Sequence, residues 1–173
     1  MQYSFFKSLQ ILERTPAVLK TLLSGLSDDW TMSNEGGETW SPYDVIGHLI
    51  HGETTDWMQR LALILDAQSD HKFKTFDRFA QFEESKGKTL DQLLDEFAQV
   101  RKANLEKLKA LNLTESQLDL IGIHPSFGEV TMRNLLATWV AHDLDHIQQI
   151  VRVIAKQYNE EVGPWVEYLR ILK

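Results

Sequence analysis

The sequence predicts an all-α four-helix bundle with short additional helices, formed by a single domain over residues 1–173. Three observations carry that expectation. Apolar residues recur at three- and four-residue spacing through the long runs. The runs open on capping signals, and no stretch shows the strict alternation of a half-buried strand. Finally, a chain of 173 residues, 43% hydrophobic and 25% charged, is long enough to bury one core without staples.

Tyr3 to Leu12 reads as an opening helix. Thr15 before Pro16 reads as an N-cap and first helical position, starting a helix that ends at about Gly25. SDDWTMSNEGGET is a loop by composition. Ser41-Pro42-Tyr43-Asp44 opens the second bundle helix, with Ser41 as cap, Pro42 in the first turn and Asp44 as the capping-box acid. That helix is expected to continue to Asp66. The polar stretch Asp70 to Lys88 encloses the aromatic-rich FKTFDRFAQF, read as a loop or short helix covering one end of the bundle rather than as a substrate lid. Thr89 caps a third long helix with Leu90, Leu93, Leu94, Phe97, Val100, Leu105 and Leu108 on its apolar face. Asn112 to Val130, with Gly122, Pro125 and Gly128, is a connection. Thr131 caps the last long helix, which reaches about Tyr158, and Gly163-Pro164-Trp165 starts a short terminal one.

The net charge of −7 argues against a nucleic-acid partner, since phosphates would be repelled without a basic patch. The densest basic stretch, RKANLEKLKAL, is interrupted by Glu106 and reads as a solvated helix face. No window approaches the roughly 18 consecutive apolar residues of a membrane span. The N-terminal MQYSFFKSLQILERTPAVLK lacks the features of a signal peptide, so a cytoplasmic location is expected. With no cysteine, disulfides, thiolate metal sites and a cysteine nucleophile are excluded. Thiol chemistry would need a thiol from outside the chain.

Of the six histidines, His142 and His146 stand four residues apart in AHDLDHIQQI. Helical spacing puts both with Leu135, Trp139, Ile150 and Val153 on, or at the edge of, the core stripe. Two buried cationic rings would repel, and two neutral rings need partners for every nitrogen. A divalent cation taking one nitrogen from each ring meets that need; carbonyls or waters are the other reading. The second helix offers a third candidate in His48, which flanks its apolar stripe beside the small Gly52. His51, His71 and His124 read as surface residues, and Asp143 as a surface or helix-stabilising one. The strongest apolar arc of the second helix, Ile46, Ile50, Trp57 and Leu61, lies away from His48 and is a candidate oligomer interface.

HPSFGEVTMRNLLATWVAHDLDHIQQIVRVIA closely resembles the last-helix signature of the DinB-like superfamily, which includes bacillithiol-transferase-like and damage-inducible proteins and is unrelated to the DNA polymerase of that name. WSPYDVIGHLIHGE resembles the start of that family's second helix, and RTPAVLKTLLSGLSDDW its first. The resemblance implies a DinB-like four-helix bundle, often a homodimer, with one divalent metal held by three histidines. Matched by position, these are His48, His142 and His146.

Three neutral histidines leave such an ion its full charge and an open position, the catalytic rather than the structural arrangement. The ion is expected to be zinc or nickel, although copper and iron also accept imidazole. Asp145, roughly 60° from His142 around the helix, is a candidate base or supporting partner, and Gln149, roughly 20° from His142, a candidate for positioning water. Glu53 lies near the same end of the second helix. The expectation is a metal-dependent hydrolase or thiol S-transferase acting on a small-molecule substrate, with a low-molecular-weight thiol as a second cofactor in the latter case. The rival is a non-catalytic stress-response or dimeric binding module whose metal staples the helices.

Overall fold

The computed structural model describes residues 3–173. Its chain order is α1 (Phe5–Leu12), α2 (Thr15–Leu23), α3 (Asp28–Thr31), α4 (Pro42–Thr55), α5 (Trp57–Leu65), α6 (Ala80–Glu84), α7 (Leu90–Ala110), α8 (Glu115–Leu118), β1 (Ile121–His124), β2 (Gly128–Thr131) and α9 (Met132–Lys156), followed by 3-10 turns at Gly163–Tyr168 and Arg170–Leu172. The four rods of the bundle are α1–α2, α4–α5, α7 and α9. The first rod packs on α7 and α9, and so does the second. The first and second rods therefore sit on one diagonal and the third and fourth on the other. Long connections follow from that order, because two of the three must cross an end of the bundle.

The capping signals explain where the rods begin. Ser41, Thr89 and Thr131 each accept from the N3 backbone N–H while the N3 side chain returns a bond to the cap, forming three capping boxes. Thr15 differs from the expectation. It lies inside α2, its hydroxyl donates to the Ile11 carbonyl, and Arg14 occupies the cap position. Within the predicted loop, residues 28–31 make one helical turn.

The second rod is not continuous. At Asp56 the backbone turns to φ −119° and ψ −76°, ending α4 and starting α5. Thr54 and Thr55 hydroxyls donate to the Ile50 and His51 carbonyls just before the break, the side-chain competition that bends helices. The connection 112–130 holds a second difference: β1 and β2 form an antiparallel hairpin in which Ile121 faces Thr131 and His124 faces Gly128. Gly122 is required there, because a Cβ would collide with the Phe73 ring and Ile64. His71, expected at the surface, is half-buried and fastens this corner, its ring nitrogens 3.1 Å from the carbonyls of Ile121 and Asp66.

Two apolar clusters fill the bundle. One gathers Leu12, Trp57, Leu61, Leu105, Leu135 and Trp139. The other gathers Leu19, Ile46, Ile50, Leu94, Phe97 and Ile150. Ile46, Ile50, Trp57 and Leu61 are thus core in this chain, which overturns their reading as an oligomer interface. Among the described residues no helix is long and apolar enough to cross a membrane.

Candidate metal centre

Between the two clusters lies a charged layer contributed by three rods. Arg101 on α7 is 1% exposed. Its Nε donates to Glu53 Oε1 of α4 at 2.9 Å, and Nη1 and Nη2 donate to the two oxygens of Asp143 on α9 at 2.6 and 2.9 Å. Nη1 also reaches the Leu12 carbonyl. Asn104 and the Trp139 indole N–H donate to the Glu53 carboxylate as well. Burial raises Glu53 above the usual carboxylate range, against the pull of Arg101 and Asn104. The layer corrects two expectations: Asp143 is fully buried, and RKANLEKLKAL presents Arg101 and Asn104 to the core rather than to solvent.

One layer removed from these charges, His48 of α4 meets His142 and His146 of α9. The Nε2 atoms of His48 and His142 are 3.2 Å apart, and those of His146 and His142 3.1 Å apart. Rings surround the cluster. Trp40 lies 4.8 Å from His48 and stacks 6.5 Å from His146, Phe76 is edge-on to His48 at 5.4 Å, and Trp57 is edge-on to His142 at 5.1 Å. Desolvation inside this shell, reinforced by the neighbouring histidines, holds His48 down at about 3 and His142 at about 2. Burial lowers His146 too, opposed by its bond to Gln149. All three imidazoles are therefore neutral at pH 7.

Neutral rings cannot satisfy this geometry by themselves. An imidazole nitrogen carries one lone pair or one proton, so His142 Nε2 can bond one of its two close neighbours and must abut the other lone pair or proton. A cation at the meeting point would accept all three lone pairs. The separations suit one: around an ion about 2.0–2.1 Å from each nitrogen, tetrahedral neighbours stand about 3.3–3.4 Å apart. Lone pairs directed inward leave each Nδ1 protonated. His146 Nδ1–H donates to Gln149 Oε1 at 2.8 Å, while the Nδ1 atoms of His48 and His142 are buried with no partner among the described residues. Among the described residues, these three form the cluster of His, Asp or Glu able to hold a metal ion.

A family model for the DinB superfamily matches residues 11–150. The chain belongs to the DinB superfamily. Among solved structures it is similar to YfiT from Bacillus subtilis, described as a probable metal-dependent hydrolase with an unusual four-helix bundle topology. The TM-score is 0.75 at 21% identity, with 91% of each chain covered. No curated protein matches the chain. The DinB fold explains the site's construction: α4 and α9 are neighbouring rods, α4 delivering one histidine and α9 two.

The remaining candidates fall in different places. Asp145 is exposed, its carboxylate has no hydrogen bond or ion pair among the described residues, and its charge raises the His146 imidazole slightly against burial. Gln149 orients His146. His51, expected at the surface, is 5% exposed and pairs through Nδ1 with Glu84 Oε2 at 2.9 Å. His124 stacks on Phe127 in the hairpin, apart from the cluster. Sequence reasoning missed Trp40, Phe76 and Glu84, whose positions depend on connections. It also missed Arg101, which was legible only as a cation on the line between Phe97 and Leu105 of the α7 stripe.

Proposed function

We propose that this DinB-superfamily protein is a divalent-metal-dependent enzyme, a hydrolase or thiol transferase acting on a small molecule, with zinc or nickel held by His48, His142 and His146. The observation that carries this reading is the meeting of three Nε2 atoms with separations of 3.1 and 3.2 Å, a contact neutral imidazoles cannot satisfy alone. A bound ion would supply Lewis acidity, polarising a carbonyl or lowering the pKa of water or an external thiol. The chain's own residues do the rest. Gln149 fixes the His146 tautomer so that Nε2 keeps its lone pair. Trp40, Trp57 and Phe76 exclude water around the rings and strengthen electrostatic interactions inside. Depressed basicity keeps protons from competing for the ligand nitrogens at neutral pH.

Elemental analysis of protein purified without chelator should find about one metal ion per chain, and His142→Ala should lose it. Full occupancy in that variant would overturn the assignment. Turnover of simple esters and amides, with and without low-molecular-weight thiols, then separates hydrolysis from thiol transfer. Metal at full occupancy with no turnover of any of these would favour the rival reading, a non-catalytic module in which the ion staples α4 to α9.

A further inference from the structure

A cavity of about 680 Å³ lies between α4, α5 and the segment 74–77. Phe76 forms part of its wall and is 5.4 Å from His48 and 5.0 Å from His51. One aromatic ring therefore stands between this space and the histidine cluster. His51 also lines the cavity, its Nδ1 held by Glu84.

Arg60 in the same wall is the unusual member. Its side chain is only 12% exposed, and its guanidinium lies 5.1 Å from the centre of the Phe73 ring. Nε pairs with Asp56 Oδ1 at 2.6 Å. Among the described residues neither Nη has a hydrogen-bond partner, and neither is sealed away from open space. Arg101 shows what a purely structural arginine does in this protein: Nε, Nη1 and Nη2 all donate to protein oxygens. Arg60 instead lines the cavity with both Nη groups uncommitted, and a planar guanidinium fork matches a carboxylate or phosphate. Each acid of the wall has one oxygen already engaged. Asp56 is paired with Arg60, while Asp66 and Asp77 accept the backbone N–H groups of Gln68 and Phe79. Lys74 adds a second cation to the lining.

We propose that this cavity is the substrate pocket beside the histidine cluster, and that Arg60 binds a carboxylate or phosphate of an anionic small-molecule substrate through its two Nη groups. The word substrate rests on the metal-enzyme reading above; anion binding by Arg60 does not. The test is an amide-resolved NMR titration of metal-free and zinc-treated protein with succinate, inorganic phosphate and neutral succinamide. Succinate or phosphate should give saturable shifts at Thr55, Gln59, Lys74 and Thr75, and succinamide none. The anion that saturates at lower concentration identifies the preferred group. Arg60→Gln should weaken binding about tenfold or more, the usual loss for a charge-assisted pair, and Arg60→Lys should fall between. Equal binding in Arg60→Gln, or no saturable shift with either anion, overturns the proposal. If Arg60→Gln does not fold, the wild-type map decides, because shifts away from these residues also overturn it. Anion binding in protein that takes up neither zinc nor nickel would sink the metal reading and leave this site standing. Zinc uptake without anion shifts would do the reverse.

Discussion

At the scale of single residues, burial of the histidines sets how the metal-free protein responds to acid. His48 and His142 are held at about 3 and about 2 in the folded state, against about 6.5 for an unperturbed imidazole. Between those values the unfolded chain binds protons that the folded chain refuses, so stability is full above about pH 6.5 and falls as pH drops towards 3. His146 and His124 are also lowered and add to this loss. Asp56, raised to about 6 by burial, has the opposite sign, because its folded form gains a proton before the unfolded one does. Glu53, also raised, opposes the loss in the same way. The two most depressed histidines, each lowered by more than Asp56 is raised, set the expected direction. Urea unfolding of chelator-treated protein should show a clearly lower midpoint at pH 5 than at pH 7.5, and the drop should shrink in His48→Gln. An unchanged midpoint would show that the rings are hydrated and not desolvated as the structure has them.

Between elements, the interaction that holds the rods in register is the Glu53–Arg101–Asp143 layer, since it joins α4, α7 and α9. Replacing Arg101 with Met leaves two buried carboxylates without their cation. The expected cost is about 3–5 kcal/mol, read from the urea midpoint. Neutralising the partners in the triple variant Glu53→Gln, Arg101→Met, Asp143→Asn should recover a large part, because the loss comes from stranded charge rather than from missing attraction. The hairpin makes a second prediction. Gly122→Ala forces a Cβ against Phe73 and Ile64 and should cost about 1–3 kcal/mol, checked by thermal melting. Such a change acts at the corner that carries Phe73, three residues from the ring over His48. Helix starts were readable because Ser41, Thr89 and Thr131 declare them locally. The break at Asp56 was not: Thr54-Thr55-Asp56 contains neither Gly nor Pro, and the bend depends on which carbonyls the hydroxyls find.

For the whole molecule, the histidine cluster joins neighbouring rods and exists only in the folded chain, so a metal ion bound there would link binding to folding. Zinc at about 100 times its dissociation constant should stabilise by about 2.7 kcal/mol, raising Tm in a concentration-dependent way that His146→Ala abolishes. A Tm insensitive to zinc would remove the ion from the fold. The sequence by itself determined the all-helical class, the rod boundaries marked by capping boxes, and two histidines stacked on one face of α9, because each is a matter of local spacing and local hydrogen bonds. The second helix offered His48 as a candidate partner, and the resemblance of three segments matched it to the other two. Tertiary structure alone decided that α4 and α9 are neighbours while α7 and α9 face across the core. It also decided that Arg101 and Asp143 are buried together and that Phe76 closes over His48. Periodicity reports which side of a helix avoids water. It does not report which charge waits on the facing helix, and a buried Arg and Asp look like surface residues until both are seen at once.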